Sequence, residues 1–247
     1  MMKDRVVLII QARMGSTRLP GKSMMDLAGA PLVGRVLERV KRCKCLDDIV
    51  LATTTNSDDD SLVKFANNEG IQSYRGSEDD VMGRVIGAAE SVDADLIVEI
   101  TGDCPIIDPS IVEQTIQTYI NNNSDYVSNA HIRSYPDGMD VQVFSLNVLK
   151  KSSEMTNNVL DHEHVTLHIR NHPELFSHLH LVAPPELWWP ELGLTLDEIS
   201  DFELLKNIIE YFGESNHLFS CYEAIKLLRD KPDWVAINQK VVRKGDT

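Results

Sequence analysis

The chain has 247 residues, 43% of them apolar and 25% charged, enough for one sizeable core and a small appendage. Its 24 basic and 38 acidic residues give a net charge of −14, which repels phosphate backbones and argues against a general nucleic-acid binder. Cys43, Cys45, Cys104 and Cys221 form no CxxC pair and no zinc spacing, no stretch reaches the ~20 apolar residues of a membrane span, and the first apolar run is shorter than the ~7–15 of a signal-peptide core, so a cytoplasmic protein with reduced thiols and no membrane partner is expected.

The apolar run at residues 6–10 predicts a buried strand, and it delivers the sequence QARMGSTRLPGK (residues 11–22) to an open sheet edge. Gly15 and Gly21 allow close backbone approach to an anion, while Arg13, Arg18 and Lys22 bring cations to the same loop, so a polyphosphate is the natural guest. The stretch is not a Walker A loop: five residues separate Gly15 from Gly21, where that pattern has four. Pro31 then opens a helix with Val33, Val36, Leu37 and Val40 on one face. A second buried strand over 49–53 ends in the polar loop 53–57. A short helix marked by Leu62, Val63 and Ala66, a strand over 71–74, the loop RGSEDD (75–80) and a helix carrying Val81, Val85, Ile86 and Ala89 follow. The strand at 96–100 empties into TGDCPIID (101–108), where Asp108 is placed to cap and Pro109 to begin the next helix.

Four strand–helix units in succession predict an α/β fold, a doubly wound and mainly parallel sheet with helices on both faces and ligands beyond the carboxyl ends of its strands. From residue 125 the rhythm changes: segments 126–128 and 141–144 flank the turn Pro136-Asp137-Gly138 and predict a small hairpin-containing insertion. A single helix is expected over 157–171, further strands over 179–182 and 193–196, an irregular connection around Trp188 and Trp189, and two closing helices around 202–212 and 222–228. The organisation expected is one domain over 1–230, with an acceptor or dimerisation subregion at 125–182, and a tail from 231 to 247.

Asp103 and Asp197 each end an apolar segment, and two carboxylates brought to one mouth suit Mg²⁺, which takes its remaining ligands from water and phosphate. Either acid alone is equally readable as a cap or turn former; Asp201 is the better capping candidate for the last long helix. His164, His168 and His172 would line one helical face, but HExxH is absent and surface or substrate contacts are the expected role. No G-x-S-x-G nucleophile pattern occurs.

Residues 10–22 together with ATTTN (52–56), RGSEDD (75–80), ITGDCP (100–105), YPDGMD (135–140), EHV (163–165), LDE (196–198) and DFE (201–203) resemble, in order and over roughly residues 6–210, the cytidylyltransferases that activate acidic sugars. That group includes the acylneuraminate and 3-deoxy-manno-octulosonate enzymes, and the likeness is greatest to the SpsF-type branch of spore coat polysaccharide biosynthesis. The resemblance implies a nucleotide-diphospho-sugar transferase-like fold and transfer of CMP from CTP to an acidic sugar, with release of pyrophosphate. Arg13 and Lys22 would bind the triphosphate, supported by Arg18, and Asp103 and Asp197 would carry Mg²⁺. The loops around Ala12, Thr54 and Arg75 to Asp80 would wall the cytosine and ribose, Gly15 and Ser16 would also bind the nucleotide, and the segment from Tyr135 to Asp140, with Asp137, plus Glu163 and His164 would face the sugar. Relatives in the group are generally homodimers. Cys104 stands where the octulosonate branch has an acid, which leaves a second metal contact open. Another base, a sugar-phosphate or polyol-phosphate acceptor, and a non-catalytic nucleotide-binding module remain the alternatives at this point.

Overall fold

The computed structural model describes residues 4–243. The apolar runs form strands β1 (Val6–Gln11), β2 (Asp48–Thr54), β3 (Gln72–Gly76) and β4 (Leu96–Thr101), all parallel, with β1 between β2 and β4. Between them lie the predicted helices α1 (Leu32–Val40), α2 (Asp60–Asn68) and α3 (Val81–Glu90), and α4 (Pro109–Ile120) follows β4, with Asp108 accepting from Ser110 N at 2.9 Å as its cap. The hairpin expectation is met in a widened form. Strand β5 (Tyr126–Ser128) runs antiparallel to β6 (Gln142–Ser145), which is also antiparallel to β4, and β7 (His178–His180) closes the edge parallel to β5. The sheet order is β3-β2-β1-β4-β6-β5-β7.

Alternation along the strands sends side chains to two cores. Leu8, Ile10, Leu51, Val98 and Val143 pack with α1 and α4, together with α8 (Ile199–Phe212) and α9 (Cys221–Asp230). Val7, Ile9, Val50, Ile97 and Phe144 pack on the other face with α3 and with α5 (Leu146–Met155), whose start is capped by Ser145. Among the described residues no helix is long and apolar enough to cross a membrane, and Cys43, Cys104 and Cys221 are free thiols.

Three expectations need correction. The helix expected over 157–171 is two helices, α6 (Val159–Glu163) and α7 (Leu167–Asn171), because Val165 takes a left-handed φ of 48° and both Val165 and Thr166 are drawn into the interior. A β-branched residue takes that φ only under strain, so it is the burial of both side chains that holds the break. The segment 193–196 makes one bridge, Asp137 to Gly193, in place of a strand: Leu194 N donates to Asp137 O at 2.7 Å and Leu196 N to Asp103 O at 2.8 Å, so it is threaded between two loops. Within the segment read as a tail, α10 (Pro232–Asn238) packs on α8 and α9, and Arg243 reaches Asp201 Oδ1 at 2.7 Å. Of the two tryptophans, Trp189 packs against the core and Trp188 is half-exposed.

Candidate active site

The loop after β1 is closed on itself before any guest arrives. Gly21, at φ 76°, donates its N–H to Met14 O at 2.9 Å, and Ser23 Oγ donates to Arg13 O at 2.9 Å. Only glycine takes that backbone angle cheaply. From outside the loop, Asp59 accepts Met14 N at 2.7 Å while Thr53 and Thr54 donate to its second oxygen. Burial works against the charge on Asp59, but these hydrogen bonds hold its carboxyl below the usual range.

Leu196 N on Asp103 O brings the ends of two separate segments together, and Lys22 occupies the resulting gap. Its Nζ donates to Asp103 Oδ2 at 2.8 Å, Asp197 Oδ1 at 2.9 Å and Leu196 O at 2.7 Å, which uses all three ammonium protons. Arg18 Nη2 lies 2.8 Å from Asp197 Oδ1. Burial opposes the charge of Lys22, but the two carboxylates outweigh it and raise its pKa; burial likewise opposes ionisation of Asp103, and the Lys22 charge wins and holds it down. Asp201 does not compete for this place. It is fully buried, one oxygen accepting the backbone N–H groups of Asp197 and Glu198 and the other held by Asn238 and Arg243.

A cavity of about 550 Å³ opens at the carboxyl ends of β1 and β4. Of the residues expected at the site, Ala12, Arg13, Ser16, Arg18, Lys22, Asp103, Asp197, Glu163 and His164 line it. The break at Val165 is what presents Glu163 and His164, while His168 turns inward to Ser152 at 3.1 Å. The remaining expected residues do not line it. Gly15 backs onto Glu78. Thr54 is buried on Asp59, and Arg75 donates to Thr54 O at 2.8 Å and Asn56 O at 2.6 Å and pairs with Asp60. Asp80 caps α3 through Gly83 N at 2.8 Å and lies 2.7 Å from His162 Nδ1. Tyr135 is in the core, Asp137 accepts from Thr195 at 3.2 Å, and the Asp140 carboxyl is pushed up to about 7 by burial, with the Asp137 charge adding to it. These are loop braces and core members.

The floor of the cavity holds residues that the sequence reading passed over. Glu99 sits on the same sheet face as Gln11 and Gln142 and in register with Gln142 on β6. Gln11 donates to one of its oxygens and Gln142 Nε2 to the other at 3.0 Å. Burial pushes Glu99 up to about 7. A charged residue inside the apolar run 96–100 was the signal for it. Arg84 and Arg170 also line the cavity.

The donor set at the mouth fits Mg²⁺ in kind: Asp103 and Asp197 offer carboxylate oxygens, the ligands this ion prefers. Among the described residues no group of three or more His, Cys, Asp or Glu could hold a metal alone, so any ion there would need ligands from water or a substrate.

Comparison with known proteins agrees with this picture. A family model described as cytidylyltransferase matches residues 7–226. The spore coat polysaccharide biosynthesis protein SpsF of Bacillus subtilis (strain 168) is 36% identical over 235 residues, 92% of this chain and 95% of that protein. A 3-deoxy-manno-octulosonate cytidylyltransferase of Trichlorobacter lovleyi is 37% identical over 120 residues, 48% of this chain and 46% of its own. The solved structure of a cytidylyltransferase from Leptospira borgpetersenii superposes with a TM-score of 0.91 at 32% identity, covering 98% of this chain and 100% of that one. The chain belongs to the cytidylyltransferase family and is a nucleotidyltransferase.

Proposed function

We propose that the protein transfers CMP from CTP to a hydroxyl of an acidic sugar, releasing pyrophosphate, in the synthesis of a surface polysaccharide or glycoconjugate, and that it does so with Mg²⁺ held by Asp103 and Asp197. The observation that carries this reading is the arrangement at the mouth: two carboxylates from separate segments, bridged by Lys22, facing the braced loop that bears Arg13 and Arg18. The relatives' names, a 3-deoxy-manno-octulosonate cytidylyltransferase among them, point to the same donor and to an acidic sugar.

In the reaction an acceptor hydroxyl oxygen forms a bond to the α-phosphorus, the bond from that phosphorus to the bridging oxygen breaks, the hydroxyl proton is released, and pyrophosphate departs. The protein's task is placement and neutralisation of developing charge. Arg13, Arg18 and Lys22 stabilise the leaving pyrophosphate, and the braces on Asp59 keep their loop from rearranging as charge builds. When bound, Mg²⁺ supplies Lewis-acid polarisation at the phosphate oxygens. The test is a panel of nucleoside triphosphates and acceptors with pyrophosphate release as readout. CTP with at least one sugar acid should stand out; release with another base, or only with sugar-phosphate or polyol-phosphate acceptors, would replace this reading.

A further inference from the structure

One end of the cavity is accounted for by the triphosphate loop and the acid pair. The other end, under the α6–α7 break, contains cationic donors with no protein acceptor. The Arg170 guanidinium donates no hydrogen bond and forms no ion pair among the described residues, and its Nε is buried without a partner. A buried, unanswered guanidinium N–H is costly, so an arginine in a core role would ordinarily find a carboxylate or carbonyl. Arg84 shares a buried Nε without a partner but differs at its terminal nitrogens: Nη1 donates to Ser77 O at 2.5 Å and Nη2 to Gln11 Oε1 at 3.4 Å, which anchors it within the wall.

Two acids feel the Arg170 charge: Asp140, whose carboxyl burial pushes up to about 7 and which does not line the cavity, and Glu99, which does line it and is held elsewhere. Glu99 feels the Arg170 charge, yet both its oxygens take amide N–H groups from Gln11 and Gln142. The Gln142 amide cannot turn over to change this, because its oxygen accepts from Thr166 Oγ1 at 2.6 Å and from the Tyr126 hydroxyl. His131 and His180 carry no negative charge in either protonation state and so cannot answer Arg170; burial lowers the pKa of both, which disfavours a further cation beside it. The far end of the cavity therefore holds a guanidinium with free donors beside a carboxyl that retains free lone pairs, within one hollow.

Resting on the function proposed above, we infer that this end is the acceptor subsite, with Arg170 receiving the carboxylate of the sugar acid and Glu99 accepting a hydrogen bond from one of its hydroxyls. The chemistry selects the guest. Cytosine carries no charge for an unpaired guanidinium to meet, and the phosphates are met by Arg13, Arg18 and Lys22; an anionic polyhydroxy compound uses both groups at once. Arg170 is thereby a specificity determinant between acidic and neutral sugars.

Two measurements test this. In ¹⁵N-labelled protein mixed with CTP and free of divalent metal, the Arg170 Nε–H resonance, assigned by its loss in Arg170→Gln, is followed during titration with lactate, a minimal 2-hydroxy acid, and with glycerol as neutral control. A saturable shift with lactate alone is expected; no shift, or shifts confined to Arg13 and Arg18, would overturn the assignment. Calorimetry of CTP binding and the acceptor panel report separately on the parent reading, so its failure is visible as absent CTP binding or absent turnover in the wild type. For a sugar acid that is turned over, Arg170→Gln should raise the acceptor KM at least about tenfold with the CTP KM unchanged, and Arg170→Lys should recover part of the loss. An equal rise in both KM values, or none in the acceptor's, would also overturn it.

Discussion

Lys22 stands between the two acids proposed to hold Mg²⁺, and this makes its removal informative before any turnover is measured. In the nucleotide-free chain its ammonium satisfies Asp103, Asp197 and Leu196 O together, with only 11% of its side chain exposed. A metal arriving alone must displace it. Hydrogen bonds to charged groups contribute ~1.5–3 kcal/mol each, so the two carboxylate contacts set a barrier to exchange of about 3 kcal/mol at the low end, and solvent screening at the partly exposed acids reduces this by about half. At ~1.4 kcal/mol per factor of ten, Lys22→Met should bind Mn²⁺ in the absence of nucleotide between about 10-fold and about 100-fold more tightly than the wild type. Mn²⁺ electron paramagnetic resonance measures this directly. The same variant should lose triphosphate affinity, so metal and nucleotide binding would move in opposite directions. Equal Mn²⁺ affinity in the two proteins, with thermal melts showing both folded, would refute the idea that the lysine holds the metal's place.

Three further expectations follow from the contacts. Asp197→Asn should abolish metal-dependent pyrophosphate release while leaving the melting temperature near that of the wild type, whereas Asp201→Asn, which weakens the buried partner of Arg243, should cost about 3 kcal/mol of stability in a urea titration; the opposite pattern would exchange their roles. Asp59→Ala removes the brace shared by Met14, Thr53 and Thr54, and should lower stability by about 2 kcal/mol and weaken CTP binding measured by calorimetry; unchanged affinity would show that the loop holds its shape alone. Burial pushes Glu99 up to about 7 from its ordinary 4.5, so between these values the folded chain keeps a proton that the unfolded chain has released. Its contribution is full below the unfolded value and is lost as pH rises through the folded one, at most ~3 kcal/mol by linkage, and the loss should vanish from the pH-dependence of unfolding in Glu99→Gln.

Where the hydrophobic period is long and its flanks are clear, the sequence was sufficient. Strands β1 to β4 with α1 to α4 stand where the pattern puts them because β1, β2 and β4 are buried on both faces, β3 closes the sheet edge, and each helix shows one apolar stripe. The weaker readings failed for tertiary reasons. Val165 and Thr166 lie inside a plausible helical pattern, but burial of both, with Thr166 donating to Gln142, outweighs the local preference and breaks the helix. The alternation at 193–196 has no neighbouring strand to pair with, and α5 follows β6 so closely that its Ser145 cap was hidden in the strand's end.

At the site, charge at loop positions could be read from sequence, whereas direction could not. Arg75, Asp80 and Asp137 occupy the same kinds of loop as Arg18 and Asp103, yet Arg75 and Asp80 brace neighbouring backbone, the Asp137 carboxylate is held by the Thr195 hydroxyl and Arg243, and none of the three lines the cavity. Such braces explain why the motifs are long. Asp59 and Asp80 are spent on backbone N–H groups and Arg75 on backbone carbonyls, so the acids that meet the loop's cations are Glu78 at Arg13, Asp197 at Arg18 and Lys22, and Asp103 at Lys22. The mouth itself balances: Arg18 and Lys22 against Asp103 and Asp197 sum to no net charge. If a divalent cation took over the acids, Lys22 would be released toward the phosphates that come with that cation. The resting ion pairs and the working ones would then use the same four side chains, and neither state would leave a buried charge unanswered.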